Sequence, residues 1–198
     1  LVLLFIAHYP MKIFVGIVAM GIGGLVVLIA SAPYRLKRIE AFLNPWADSL
    51  GSGFQSVQSL LAIGPAGLFG HGFLKSRQKY LYLPEPQNDF IFSIILEEVG
   101  LVGAVMIILI FAALFYRGIR IAQRTYDKFG FMIAVGIMVQ LATQTLLNIA
   151  VVTNTVPNTG ISMPFFSYGG TSLMMLLAEM GLVLSVSKFG GNKRHYLV

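Results

Sequence analysis

Cysteine is missing from all 198 residues, which excludes a disulfide framework and any thiolate metal site. Histidine is nearly missing: His8, His71 and His195 lie far apart and suggest no ligand cluster, so no metal ligands are expected. Charge is scarce as well. Only 11% of residues are Asp, Glu, Lys or Arg, against roughly 25% in a soluble globular domain. That shortage excludes a surface solvated by water alone. With 57% hydrophobic residues and a mean hydropathy of +0.80, lipid must be the second solvent. A net charge of +6 brings nucleic acid to mind. The basic residues instead flank hydrophobic runs, which is how membrane topology is written, and no nucleic-acid partner is expected. A signal peptide is also lacking, because the apolar run Leu1 to Ala7 has neither Met nor a basic n-region. It reads as the end of a span, and the chain as the C-terminal part of a longer one.

What is present is a series of long apolar runs. A helix crossing a bilayer needs about 20 mostly apolar residues, and four stretches qualify, at about 11–32, 90–116, 129–152 and 171–187. Backbone polar groups at membrane depth must be satisfied internally, so all four are expected to be helices. The expected fold class is therefore all-α: a polytopic transmembrane bundle of about four full spans plus a partial first one. Residues 117–128 hold four basic residues and one acid, and the C-terminal tail adds Lys188, Lys193 and Arg194. Both should face the cytoplasm, leaving 34–89 and 153–170 outside. The segment 34–89 carries six basic residues, against that rule, but the rule weakens over long loops. Phe54, Val57, Leu60 and Leu61 recur there at helical spacing, among Gln55, Ser56, Gln58 and Ser59, which predicts a short interfacial helix. Glycines crowd from Gly64 to Gly72 and imply a tight, irregular return. The run Gly67 to Gly72 has the look of a dinucleotide loop, but no strand precedes it and no helix follows.

The densest polar stretch runs from Ser76 to Phe90. Pro84 and Pro86 disfavour helical geometry before them, so the next helix starts after Pro86, with Asn88 or Asp89 near its first turn. Asp89 is then either a cap favoured by the helix dipole or a carboxylate at the mouth of a cavity, able to accept a proton. Glu85 and Lys79 either orient it and hold an anionic substrate or form a surface ion pair. Glu97 and Glu98 lie about two turns further along. Glu97 shares a side with Asp89, and Glu179 sits in the last span; each is read as lining a cavity or as bonding to a neighbouring helix. Gln140, Gln144 and Asn148, spaced four apart, form a polar ladder more typical of interhelical contact than of a substrate path. The loop Pro157 to Thr171 is apolar enough to fold back onto the membrane face, with Thr171 as a candidate cap of the last helix.

Several long runs, in order, resemble the SEDS family of bacterial shape, elongation, division and sporulation proteins. They are Asn44-Pro45-Trp46-Ala47-Asp48, Gln55 to Gly64, Ser76-Arg77-Gln78-Lys79, Leu83 to Phe92, Glu97-Glu98-Val99-Gly100 and Pro164 to Ser172. The likeness covers nearly the whole chain and is nearer to the FtsW and SpoVE branches than to RodA. It implies a peptidoglycan glycosyltransferase of the bacterial cytoplasmic membrane, polymerising lipid II at the outer face. It implies that Asp89 is the essential acid, deprotonating the acceptor's 4-hydroxyl. Glu85, Lys79, Gln58, Ser167, Tyr168 and Glu97 are the candidate substrate-binding residues. The implied partners are a class B penicillin-binding protein acting as transpeptidase, divisome or sporulation proteins, and membrane lipid. No cofactor is certain, though a departing pyrophosphate invites a basic residue or a divalent cation. The family has ten spans, so the isolated fragment is expected to be inactive. The alternatives are a lipid II flippase, whose ionisable groups would sit nearer mid-membrane, and a non-catalytic scaffold for a transpeptidase.

Overall fold

The computed structural model describes residues 1–7, 9–31, 33–76 and 88–190. Wherever the sequence is apolar over a long stretch, the backbone closes its hydrogen bonds locally as a helix. In chain order the helices are α1 (Val2–Ile6), α2 (Met11–Ala30), α3 (Pro33–Leu43), α4 (Phe54–Ile63), α5 (Ile91–Gln123), α6 (Lys128–Val152) and α7 (Gly170–Gly190). Short 3₁₀ turns at Pro45–Asp48 and Gly64–Ala66 flank α4. No strand occurs among the described residues. Four helices, α2, α5, α6 and α7, are long and apolar enough to cross a membrane.

The core lies where α5, α6 and α7 meet. Phe90, Phe92, Leu96, Phe111, Val151, Val152 and Met163 form one buried cluster, and Ile137, Met138, Leu141, Leu176 and Val183 form another. Gly118 lets α5 approach α6 closely, since a Cβ there would strike Met138. α4 packs across the same end of the bundle through Val57 and Ala62, and Ser59 Oγ donates to the Val152 carbonyl over 2.8 Å. The inward face of α4 is thus Val57, Ser59 and Ala62, whereas Leu61 is exposed. Apolar spacing alone had put Ser59 outside; a hydroxyl turns inward when the end of another helix offers it a free carbonyl. α2 stands apart. Its apolar window buries nothing within the chain, and Gly16, Gly21, Gly23 and Gly24 face open space.

The second span is not a single helix. At Gly100 the backbone turns to φ 70°, ψ −170°, a region essentially restricted to glycine, so α5 is two helices, 91–99 and 101–123. A break frees amides and carbonyls that hydrocarbon cannot satisfy, at several kcal/mol each if left unpaired. The glycine-rich loop takes them up. The amides of His71 and Gly72 donate to Glu97 O (2.9 Å) and Glu98 O (3.0 Å), and the amides of Leu101 and Val102 donate to Gly67 O and Leu68 O (3.1 Å each). The approach is so close that a Cβ on Gly70 would lie 2.3 Å from Glu98 O, and one on Gly100 would lie 2.3 Å from Gly70 N. The run Gly67 to Gly72 is thus a splice for a broken helix.

At 33 residues α5 is also too long for the bilayer: about 50 Å at 1.5 Å per residue, against a hydrocarbon core of about 30 Å. Counting about 20 residues back from Arg117 reaches Glu97. The splice therefore sits near one edge of the apolar layer, and Asp89 lies beyond it.

Candidate functional site

Asp89 belongs to a turn, 88–90, that leads into α5, whose N-cap is Phe90. Neither Asn88 nor Asp89 is the capping residue. Phe90 is buried and anchors the turn in the core, while Ser93 Oγ and Ser93 N both bond back to Phe90 O, at 2.7 and 3.0 Å. Two polar side chains then hold the turn by its main chain. Asn148 Nδ2 donates to Asp89 O and to Ile161 O, both at 2.8 Å. Ser167 Oγ donates to Asn88 O over 2.6 Å and accepts from Met163 N over 2.7 Å. The turn, the end of α6 and the folded-back loop 153–169 are thereby tied together around buried Met163. The Asp89 carboxylate is half-buried beside the missing side chain of Gly160; a Cβ there would lie 3.5 Å from Asp89 Oδ2. A fixed backbone with a partly open carboxylate is what a proton acceptor needs.

A second polar thread leads outward from this point. Gly160 N donates to Asn158 Oδ1 (3.0 Å), and Asn158 Nδ2 donates to Gln55 Oε1 (2.7 Å) on α4. Of the other candidate substrate-binding residues, Ser167 is part of the clamp. Tyr168 beside it is exposed, and Gln58 is half-buried on α4. Glu97 is buried, and its Oε2 accepts from Ser76 Oγ over 2.6 Å. Glu85 and Lys79 lie outside the described residues. Glu179 accepts from Gln140 Nε2 over 3.0 Å, a cross-link between α7 and α6. Thr171 falls inside the first turn of α7 rather than at its cap. No three His, Asp or Glu side chains come together among the described residues. Sequence reasoning missed Asn148 as the clamp, Asn158 and Gly160. Asn148 gave a signal, being the last rung of the polar ladder, one turn before the loop.

The fold and this rim define a class: a multi-pass helical membrane protein carrying one carboxylate on a main-chain clamp just beyond the apolar layer. The sequence relatives make the class specific. The chain belongs to the FtsW/RodA/SpoVE family, whose model, described as "Cell cycle protein", matches residues 1–192. It is 52% identical over 189 residues to stage V sporulation protein E of Bacillus subtilis, covering 96% of this chain and 52% of that protein. It is 42% identical over 187 residues to a probable peptidoglycan glycosyltransferase FtsW of Geobacter sp., covering 94% of this chain and 51% of that one. A solved structure of a peptidoglycan synthase complex that coordinates polymerization and crosslinking superposes with a TM-score of 0.72 at 32% identity, over 95% of this chain and 52% of its counterpart. The chain spans about half the length of the relatives it matches.

Proposed function

We propose that this chain forms the acid-bearing half of a peptidoglycan glycosyltransferase that polymerises lipid II at the outer face of the bacterial cytoplasmic membrane, in division or sporulation. The observation that carries the reading is the clamp: Asn148 and Ser167 hold the Asp89 turn by its main-chain carbonyls, which fixes the position of a half-buried carboxylate. One relative supplies the reaction class, being named for peptidoglycan glycosyl transfer, and another is named for sporulation.

In the proposed step the acceptor sugar's 4-hydroxyl attacks the anomeric carbon of the donor. A new glycosidic C–O bond forms, the bond from that carbon to the pyrophosphate oxygen breaks, and undecaprenyl pyrophosphate leaves with the electron pair. Asp89 takes the hydroxyl proton, a role generally worth about 10²–10⁴-fold in rate. The topology that fits is the one with 34–89 and 153–170 outside and 117–128 and the C-terminus in the cytoplasm. A class B penicillin-binding protein is the natural partner, crosslinking the strands that this protein extends. The chain then corresponds to the C-terminal part of a single SEDS domain.

The test is polymerisation of purified lipid II by the protein as its gene encodes it, wild type against Asp89→Asn. Loss of polymer by at least 100-fold, with membrane insertion intact, is the expected result. Retained polymerisation removes Asp89 from the mechanism. Lipid II flipping with no polymer from wild type replaces the enzyme with a transporter, and partner binding with neither activity leaves a scaffold. The bonds of Glu97 to Ser76 and Glu179 to Gln140 favour the enzyme, since a carrier needs such acids unencumbered.

A further inference from the structure

The six basic residues of 34–89 run against the charge rule for the topology proposed above, and two of them line a cavity. Lys37 and Arg38 stand on α3, within the first turns after α2, where a charge bias counts most in setting orientation. Positive charge kept at such a place calls for a counterpart. Beside them lies an open cavity of about 470 Å³ whose other walls include Gly51, Ser52 and Gln55. Lys37 and Arg38 are exposed, and neither joins an ion pair among the described residues. Asp48 bonds to Ser52 in the cavity wall. Its Oδ2 is already occupied by Ser52 N (2.8 Å) and Ser52 Oγ (2.9 Å), and Lys37 adds a smaller attraction that helps hold this carboxyl below its usual range. Glu40, also exposed, lies one turn along α3. The amino end of α4 opens at this cavity without a side-chain cap, so its amides add positive potential to that of the two cations.

The cavity is also connected to the candidate catalytic turn. Gln55, in its wall, accepts from Asn158, Asn158 accepts from Gly160, and Gly160 lies against Asp89 Oδ2. A ligand gripped here would have its neighbouring groups beside the carboxylate.

We propose that Lys37 and Arg38, with the cavity at the amino end of α4, form a binding site for a phosphate or pyrophosphate group carried on a lipid. Two lysine- or arginine-borne charges beside the amino end of a helix suit phosphate oxygens, and a site at the end of a membrane span suits a ligand whose tail stays in the bilayer. Two lipids carry that chemistry, the polyprenyl pyrophosphate of the reaction proposed above and an anionic phospholipid. The site itself does not depend on the glycosyltransferase reading; only the choice of lipid does.

The experiment is a binding titration of the protein as its gene encodes it, in zwitterionic nanodiscs. Separate arms contain undecaprenyl pyrophosphate, phosphatidylglycerol and inorganic pyrophosphate. At least one of the two lipids should bind saturably, and the Lys37→Glu/Arg38→Glu pair should weaken it at least tenfold. Lys188→Glu, on α7, should change nothing. The milder Lys37→Gln/Arg38→Gln pair, checked for an unchanged unfolding midpoint, guards against a folding defect. Preference for undecaprenyl pyrophosphate, with competition by inorganic pyrophosphate, supports the site and assigns the reaction's lipid to it. Equal displacement by phosphatidylglycerol supports the site and assigns bilayer phospholipid. Undiminished lipid binding in both paired variants overturns the proposal. Asp89→Asn should bind as wild type does while losing polymer, so a failure of either idea leaves the other standing.

Discussion

The two halves of α5 are made of similar residues and live in different surroundings. Residues 91–99 bury Phe92, Ser93, Ile94, Leu96, Glu97 and Glu98, so almost every side of that short helix is covered. Residues 101–123 bury only Ala104, Phe111, Gly118 and Ala122, a seam at intervals of seven and four, and present Leu101, Val105, Met106, Leu109 and Ile110 to the outside. A narrow seam with apolar residues elsewhere is a helix solvated by lipid. A helix covered all round, holding two acids and ending in a break, is a part fixed by its neighbours. Rigidity has been concentrated where the candidate chemistry lies.

Substitutions at the joint should break this contrast most severely. Gly100→Ala places a Cβ in a glycine-only backbone region and drives it into Gly70 N and Leu68 O. A loss of about 3 kcal/mol or more is expected from strain and lost splice bonds, read as a lowered unfolding midpoint in detergent. The same change at Gly103, in the lipid-facing half, brings a Cβ within 2.5 Å of Val99 Cβ but in helical backbone and with no splice bond to break, so it should cost less. Equal losses at both positions would erase the distinction between the halves.

Next in size is Asn148→Ala, which strands the carbonyls of Asp89 and Ile161. About 1–3 kcal/mol of stability should go, and polymerisation should fall further than stability does, because the turn carrying Asp89 is no longer positioned. Parallel measurement of unfolding and polymerisation in one preparation checks this; proportional losses would make Asn148 purely structural. Gln140→Leu removes the bond to Glu179 on α7, and single interhelical hydrogen bonds in membranes average only about 0.6 kcal/mol. Its effect should be near that value and should spare polymerisation.

The smallest effect belongs to Asp48. Backbone and side-chain hydrogen bonds from Ser52 lower its pKa from 3.8. A carboxyl depressed by folding contributes stability above its unfolded value, and loses that contribution as pH falls through the folded one. The gap between wild type and Asp48→Asn should therefore be steady at neutral pH and close below about pH 4. A gap that persists in acid would show that something other than the ionised carboxylate is responsible.

Much of this was legible in the sequence. Four apolar runs gave four long helices, because length and hydropathy are all that a bilayer demands. Asp89 stood out because Pro84 and Pro86 delay the helix, so an acid must sit near its start. The break at Gly100 was not legible. A glycine flanked by Val99, Leu101 and Val102 reads like any packing glycine in a span, and its conformation is dictated by a loop thirty residues earlier. Ser59 and Asn148 are of the same kind: their polarity was visible, but the carbonyls they serve belong to other elements.

The bonds between 67–72 and 97–102 also close a ring of main chain. Residues 88–96 return to it already fastened, by Asn148 at Asp89 O and by burial of Phe90, Phe92 and Leu96. Closure rests on main-chain bonds and two closely packed glycines, so this seam is set by backbone shape rather than by the side chains along it.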